Sequence, residues 1–401
     1  MGRTPPAGSA GRRRKLTVLV NAGPWLAVPP PDYGGIENVV ATLVTALRAA
    51  GHRVILATVE ESTAEVDEAI TSFASPQFER LSGPYGDVVG IAHAHMATVL
   101  AALEVRDDVD VVHDHLEVVG PSMLVARGGR CPPTLQTLHW DLQKHPAFYR
   151  EFDGRNRVWF AAVSQSQLNR APDNLRRQVI GTVPLAAPGG HLHPAPADDH
   201  VLVLGRIAHI KGTEVAARVC RRIGQRVILA GPVAGQPSAK ALDAALAAPG
   251  TNLAAAPDVA YYLDRVAPLV DGGQVRWVGA VGGPEKDDLL RRARALVCPL
   301  QWEEPGGTAM VEALLAGVPV VGFRRGVLPS LVTNGVTGFV VDTEDELADC
   351  LRRVDGLDRR AIAATARDQF SPARMAASYV RLYEEVIARS QAAGATVFHT
   401  S

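Results

Sequence analysis

Short apolar runs rich in β-branched residues alternate along this chain with stretches in which apolar positions recur every three or four residues. Residues 16–20 make the first run, followed by a Gly/Pro-rich loop. Ile36, Val39, Val40, Leu43, Val44 and Leu47 then recur at helical spacing, and Gly51 stops that pattern. A period near 3.6 predicts an amphipathic helix, and a short unbroken run predicts a strand buried on both faces. Further strand-like runs occupy 54–59, 109–112, 134–138, 159–163 and 179–185. The stretch 184–199, rich in Pro, Ala, Gly and His, breaks the alternation and reads as a linker between domains. The pattern then restarts, with strands predicted at 201–204, 227–230, 275–278, 296–300 and 318–323 and helices at 213–222, 285–293 and 307–316. The Ala- and Pro-rich region 236–271 fits a helical insertion. Met375, Tyr379, Leu382, Tyr383, Val386 and Ile387 fall on one stripe of a last helix, the pattern of core packing. Strand–helix alternation of this kind predicts an α/β chain of parallel sheets covered on both faces.

With 401 residues, 47% of them hydrophobic, the chain can fill two cores rather than one. Its net charge of −1 argues against nucleic acid as the main partner, since phosphate-backbone binders are basic. Cys131, Cys220, Cys298 and Cys350 are scattered, with no Cys-x-x-Cys pair. That spacing suggests neither a disulfide framework nor a zinc knuckle, and a cytoplasmic location is expected. Arg12, Arg13, Arg14 and Lys15 close a polar arm that does not read as a signal peptide, although peripheral membrane contact stays open. No uninterrupted apolar run approaches the roughly 20 residues that span a bilayer, so no transmembrane segment is expected. The segment 313–323 is broken by Gly317 and Pro319.

The most informative chemistry lies at 303–312, Glu-Glu-Pro-Gly-Gly-Thr-Ala-Met-Val-Glu, which follows one strand and opens a helix. Pro305 has no amide proton to donate, and Gly306 and Gly307 let backbone approach a ligand. The amides of Gly307, Thr308 and Ala309 would then face whatever sits before the helix, a place suited to phosphate. Glu312 lies among Ala309, Met310, Val311, Ala313, Leu314 and Leu315. A carboxylate in such apolar surroundings needs a partner, and sugar hydroxyls would serve; a lysine or arginine pair on an exposed helix edge would also explain it. Arg206 and Lys211 follow the first strand of the second half, where open α/β sheets bind ligands. Two cations and a helix start on one cleft would neutralise a diphosphate without metal.

In the first half, Tyr33-Gly34-Gly35 joins the first loop to the first helix, and His139 follows the run 134–138. His113 with His115, and His93 with His95, have the alternate spacing that places two imidazoles on one strand face, but no third and fourth ligands are evident and no metal site is expected. His115 is instead an acceptor-side candidate. Asp108-Val109-Asp110 reads as a solvated charged turn. The chain lacks the Gly-x-Gly-x-x-Gly of nicotinamide dehydrogenases after its first run, and Gly205 to Lys211 lacks the ending of a P-loop.

Taken together, the segment from Arg206 to Gly212, the element from Glu304 to Glu312 and the pair Gly34-Gly35 resemble the family 4 retaining glycosyltransferases of the GT-B fold, over roughly 16 to 388. That resemblance implies two Rossmann-like doubly wound domains facing a central cleft. It divides the chain into a disordered basic arm (1–14), an acceptor-side domain (15–190), a nucleotide-sugar-binding domain (191–370), a helix returning to the first domain (371–390) and a tail (391–401). It implies that Arg206 and Lys211 bind the donor diphosphate together with Gly35, Gly307, Thr308 and Ala309, and that Glu312 binds the nucleoside ribose. Glu304 and His139 would face the transferred sugar, and Tyr33, Gly34 and His115 the acceptor. The implied reaction transfers a sugar with retention from a UDP- or GDP-linked donor to a small-molecule, natural-product or glycan acceptor, with no metal or other cofactor. One position departs: Gly306 stands where the family usually has phenylalanine. An epimerase or phosphorylase on the same fold, or a non-catalytic nucleotide-sugar-binding protein, would carry the same marks.

Overall fold

The computed structural model describes residues 14–31, 34–188 and 192–397. Seven strands belong to the first half: β1 (Thr17–Asn21), β2 (Arg53–Thr58), β3 (Glu68–Thr71), β4 (Val111–Asp114), β5 (Thr134–Leu138), β6 (Val158–Ala162) and β7 (Val179–Thr182). Six follow: β8 (His200–Leu204), β9 (Arg226–Ala230), β10 (Val275–Gly279), β11 (Leu296–Cys298), β12 (Val320–Phe323) and β13 (Gly338–Val341). The sheets run β3-β2-β1-β4-β5-β6-β7 and β10-β9-β8-β11-β12-β13. All pairings are parallel; Val20, for example, lies beside Leu56 on one side and His113 on the other. In each sheet the first strand of its half sits between the second and the fourth. The strand order therefore reverses beside β1 and beside β8, which opens a crevice at their carboxyl ends.

Helices cover both faces of each sheet, as parallel sheets require. On one face of the first sheet, the helix Gly35–Ala49 buries Val39, Val40, Leu43, Val44 and Leu47 against Val18, Val20 and Leu56. The last helix, Pro372–Val397, joins that same core through Met375, Tyr379, Val380, Tyr383 and Val386. It thus returns from the end of the chain to the first half. Tyr379 and Tyr383 are fully buried, and the Tyr379 hydroxyl accepts from Thr137 Oγ1 (3.0 Å) on β5.

Several elements differ from the sequence reading. β3 and β13 were not expected; each is four residues long, at a sheet edge. The run at 179–185 ends as a strand at Thr182. The region 236–271 folds into the helix Ala239–Ala247 and a second helical stretch from Pro257 through a wide turn at Tyr262–Val266. The helix Tyr85–Glu104 bears on two expectations and corrects the second, that His93 and His95 share a strand face. It is, by length and composition alone, long and apolar enough to cross a membrane. Ala92, Met96, Val99 and Leu103 pack its one face on the first sheet. It also carries His93 and His95, which are therefore not strand neighbours: a helix turns two-residue neighbours to different faces, leaving His93 exposed and His95 buried.

Candidate active site

A cavity of about 230 Å³ lies between the halves, and its walls are the strand ends and loops that the reversal at β8 opens. Arg206 and Lys211 come from the turn after β8, and Glu304, Gly307, Thr308, Ala309 and Glu312 from the loop after β11 and the helix it opens. Gly34 and Gly35 face them from the start of the first helix. No atom lies within 4 Å of where a Gly35 Cβ would be, so the missing side chain leaves open space there.

The helix Thr308–Leu315 begins at Gly307, whose left-handed backbone (φ 67°) no β-branched residue would tolerate and which supplies no side-chain cap. Met310 and Val311 both donate to the Gly307 carbonyl, and among the described residues the amides of Thr308 and Ala309 have no acceptor. These are the orphan donors of a helix start, aimed at the cavity. The preceding loop is pinned from outside: Gly326 N donates to Glu303 Oε2 (2.5 Å) and Val327 N to the Glu304 carbonyl (2.8 Å).

Each cation of the cavity already has a carboxylate. Arg206 Nη1 lies 2.9 Å from Asp258 Oδ2, Lys211 Nζ pairs with Glu304 Oε2, and Lys286 Nζ lies 2.8 Å from Glu312 Oε1. Glu304 Oε2 also accepts from Trp302 Nε1 (3.1 Å), and Lys211 sits 5.2 Å from the Trp302 ring centroid. The site is therefore preorganised rather than a bare basic patch. A guanidinium has five donors and an ammonium three, so both cations keep donors for an anion while paired. Glu312 is buried as its apolar neighbours required, but it is not waiting unpartnered: Lys286 meets it from the helix Gly283–Arg292.

Other placements follow different lines. Tyr33 lies outside the described residues. His139 ends β5, partly buried, and does not line the cavity that holds Arg206 and Lys211. His115 corrects its acceptor-side assignment: it is 3% exposed, shut in between His113 (ring centroids 4.1 Å apart) and His139 (5.0 Å), with Nδ1 2.7 Å from His139 Nε2. Burial holds all three imidazoles below the usual histidine range, His139 down to about 3. Among the described residues no group of three or more His, Cys, Asp or Glu is placed to hold a metal ion. Asp108 and Asp110 are not merely solvated; Asp108 pairs with Arg53 and Arg106, and Asp110 accepts from Thr17 N (2.8 Å).

Lys286, Asp258, Trp302 and Asn38 also belong to the cavity or its ion pairs and were not singled out from the sequence. Trp302 lies two residues before Glu304 and was within reach of the motif; the others carry no local signal. Gly306 is buried, and a Cβ there would come within 2.4 Å of Leu185 Cδ1 and 3.5 Å of Val163 Cγ2, both in the first half. Leu185 thus occupies space that a larger residue at 306 would need.

Two doubly wound halves whose strand-order reversals face one cavity, with paired cations and a free helix start on its second wall, define the class of GT-B glycosyltransferases. The sequence agrees: residues 33–174 match the family described as Glycosyltransferase Family 4, and residues 194–357 match Glycosyl transferases group 1. The chain belongs to this glycosyltransferase family. It is similar to the D-inositol 3-phosphate glycosyltransferase of Mycolicibacterium smegmatis, with 26% identity covering 94% of this chain and 93% of that one. Among solved structures it resembles AviGT4, a glycosyltransferase involved in avilamycin A biosynthesis (TM-score 0.63, 24% identity, covering 93% of this chain and 98% of that one). It also resembles Anabaena HepE in complex with UDP and glucose (TM-score 0.66, 16% identity, covering 92% and 100%).

Proposed function

We propose that this protein is a retaining, metal-independent glycosyltransferase of the cytoplasm. It would move a sugar from a nucleoside diphosphate sugar, UDP- or GDP-linked, to a small-molecule, natural-product or glycan acceptor. The observation that carries this reading is the convergence of Arg206, Lys211, the helix start at Gly307 and Glu312 on one cavity faced by Gly34 and Gly35. The UDP bound to HepE favours uridine as the base. Four buried free cysteines fit a reducing compartment.

In this reading Arg206, Lys211 and the amides of Thr308 and Ala309 take the diphosphate. As the bond to the sugar breaks, negative charge grows on that leaving group, and donors already in place stabilise it without reorganising. Glu312 takes a ribose hydroxyl through Oε2 while Lys286 holds Oε1. Glu304, fixed through Oε2 by Lys211 and Trp302, offers Oε1 to the sugar. The acceptor enters from the first half, on the side of Gly34. Front-face attack and double displacement both fit these roles.

The test begins with thermal shift against UDP, GDP and ADP and their glucose conjugates, since a ligand of the folded state raises its melting temperature by mass action. Titration of the best nucleotide into Lys211→Ala should then show affinity reduced roughly ten- to hundredfold, the worth of a charge-assisted hydrogen bond. An unchanged affinity would remove Lys211 from the diphosphate site. Turnover should persist in EDTA, and its abolition would show a metal requirement.

A further inference from the structure

The geometry points to His115 as a positioning residue that fixes the tautomer of His139, so that His139 carries its N–H on Nδ1. This rests on the reading that His139 faces the transferred sugar, and it specifies what His139 can do there.

The argument follows the protons. His139 Nε2 and His115 Nδ1 are 2.7 Å apart, and in two neutral rings one proton serves that contact. His115 Nε2 is buried and has no partner. If His139 supplied the shared proton, His115 would carry its own proton on Nε2, as a sealed N–H with no acceptor. If His115 supplies it from Nδ1, the orphan is a bare lone pair. Buried N–H groups without an acceptor are rarer than buried acceptors without a donor. The second arrangement is therefore favoured, and it leaves His139 with its single proton on Nδ1. That nitrogen has no protein partner among the described residues and, unlike His115 Nε2, is not sealed in the interior.

His113 closes the other side. Its Nε2 lies 2.7 Å from Thr137 Oγ1 and its Nδ1 2.7 Å from the Tyr383 hydroxyl, while Thr137 Oγ1 donates to the Tyr379 hydroxyl. Whichever way the hydroxyl protons run, His113 carries one proton and both its nitrogens are used. It meets His115 ring to ring and gives Nε2 no partner. Thr137 and the two tyrosines thereby hold His113 as a fixed wall behind the pair.

An imidazole offering only N–H binds an oxygen lone pair; it does not accept a proton from an attacking hydroxyl. His139 then orients the sugar, and the proton released by the acceptor leaves by another route.

The tautomer can be observed directly. In the full-length, ligand-free protein carrying ¹⁵N-histidine, long-range ¹H–¹⁵N correlation, with His139 assigned by His139→Gln, should show Nδ1 protonated and Nε2 bare. His115→Asn, whose amide can still donate, should keep that pattern. His115→Asp, which can only accept, should move the proton to Nε2. An Nε2–H form of His139 in the wild type, or an unchanged tautomer in His115→Asp, would overturn the proposal; the wild-type spectrum decides even if a variant fails to fold. Addition of UDP-glucose separates the two readings. A His139 Nδ1 resonance that stays still while UDP-glucose binds would overturn the sugar-facing role and leave the tautomer assignment standing.

Discussion

Glu312 has Lys286 Nζ 2.8 Å from Oε1, and Oε2 has no other protein partner among the described residues. Both side chains are mostly buried, at 11% and 22% exposure, so removing one leaves a charge in a poor solvent. We expect Lys286→Met to lower stability by about 1–3 kcal/mol, and Glu312→Gln to recover part of that loss in the double variant. A double-mutant cycle in urea should give a coupling of about 1 kcal/mol or more, and zero coupling would mean the pair is ornamental. Glu312→Ala should weaken UDP binding but leave pyrophosphate binding nearly unchanged, measured by calorimetry. Equal losses would refute the ribose role.

At the scale of elements, the loop after β11 and the stretch after β7 meet at Gly306 and Leu185. Gly306→Phe should force the two apart and cost about 1–3 kcal/mol, the usual range for overpacking. Leu185→Ala in the same chain should return most of it, read as denaturation midpoints; a Gly306→Phe protein as stable as the wild type would show that the space is free. The same scale decides what was legible beforehand. Strands β8, β9, β11 and β12 announced themselves because each has a core of Val, Leu or Ile with a glycine or proline beside it. β3 (Glu-Ala-Ile-Thr) did not, because an edge strand of four residues buries only Ile70 and looks like a loop. Helix Tyr85–Glu104 was hidden because its other faces also carry Ala, Val, Ile and Leu, so the buried row Ala92, Met96, Val99 and Leu103 does not stand out from them. Arg206, Lys211, Glu304, Gly307 and Glu312 were visible as residues that strand ends and a glycine-broken helix start push forward. Lys286, Asp258 and Leu185 were not, since only the packing of distant elements brings them to the cavity.

Over the whole molecule, buried titratable groups set a pH dependence. Burial holds His95 near 4, His139 near 3, and His113 and His115 well below the ordinary value. An unfolded chain protonates these rings as pH falls through about 6.5, so their contribution is full above that value and is lost below it. Asp114 and Glu37 oppose this: burial raises both to about 7, so the folded state takes their protons first as pH falls, and their contribution is lost as pH rises through 7. His52 and His200 are lowered by burial as well, so six imidazoles stand against two carboxyls and the unfolded chain takes up the larger share of protons as pH falls from 6 to 5. Urea midpoints should therefore fall steeply over that interval; a rise would reverse the assignment.

The last helix carries one more implication. Tyr379 and Tyr383 fill the interior of the first half, yet they are made only after the whole of the second sheet. Emerging from the exit tunnel, the amino-terminal sheet would wait with a groove unsealed until residues beyond 386 follow it out. The portion synthesised first is the portion completed last, and an interrupted translation product would display that gap to any chaperone nearby.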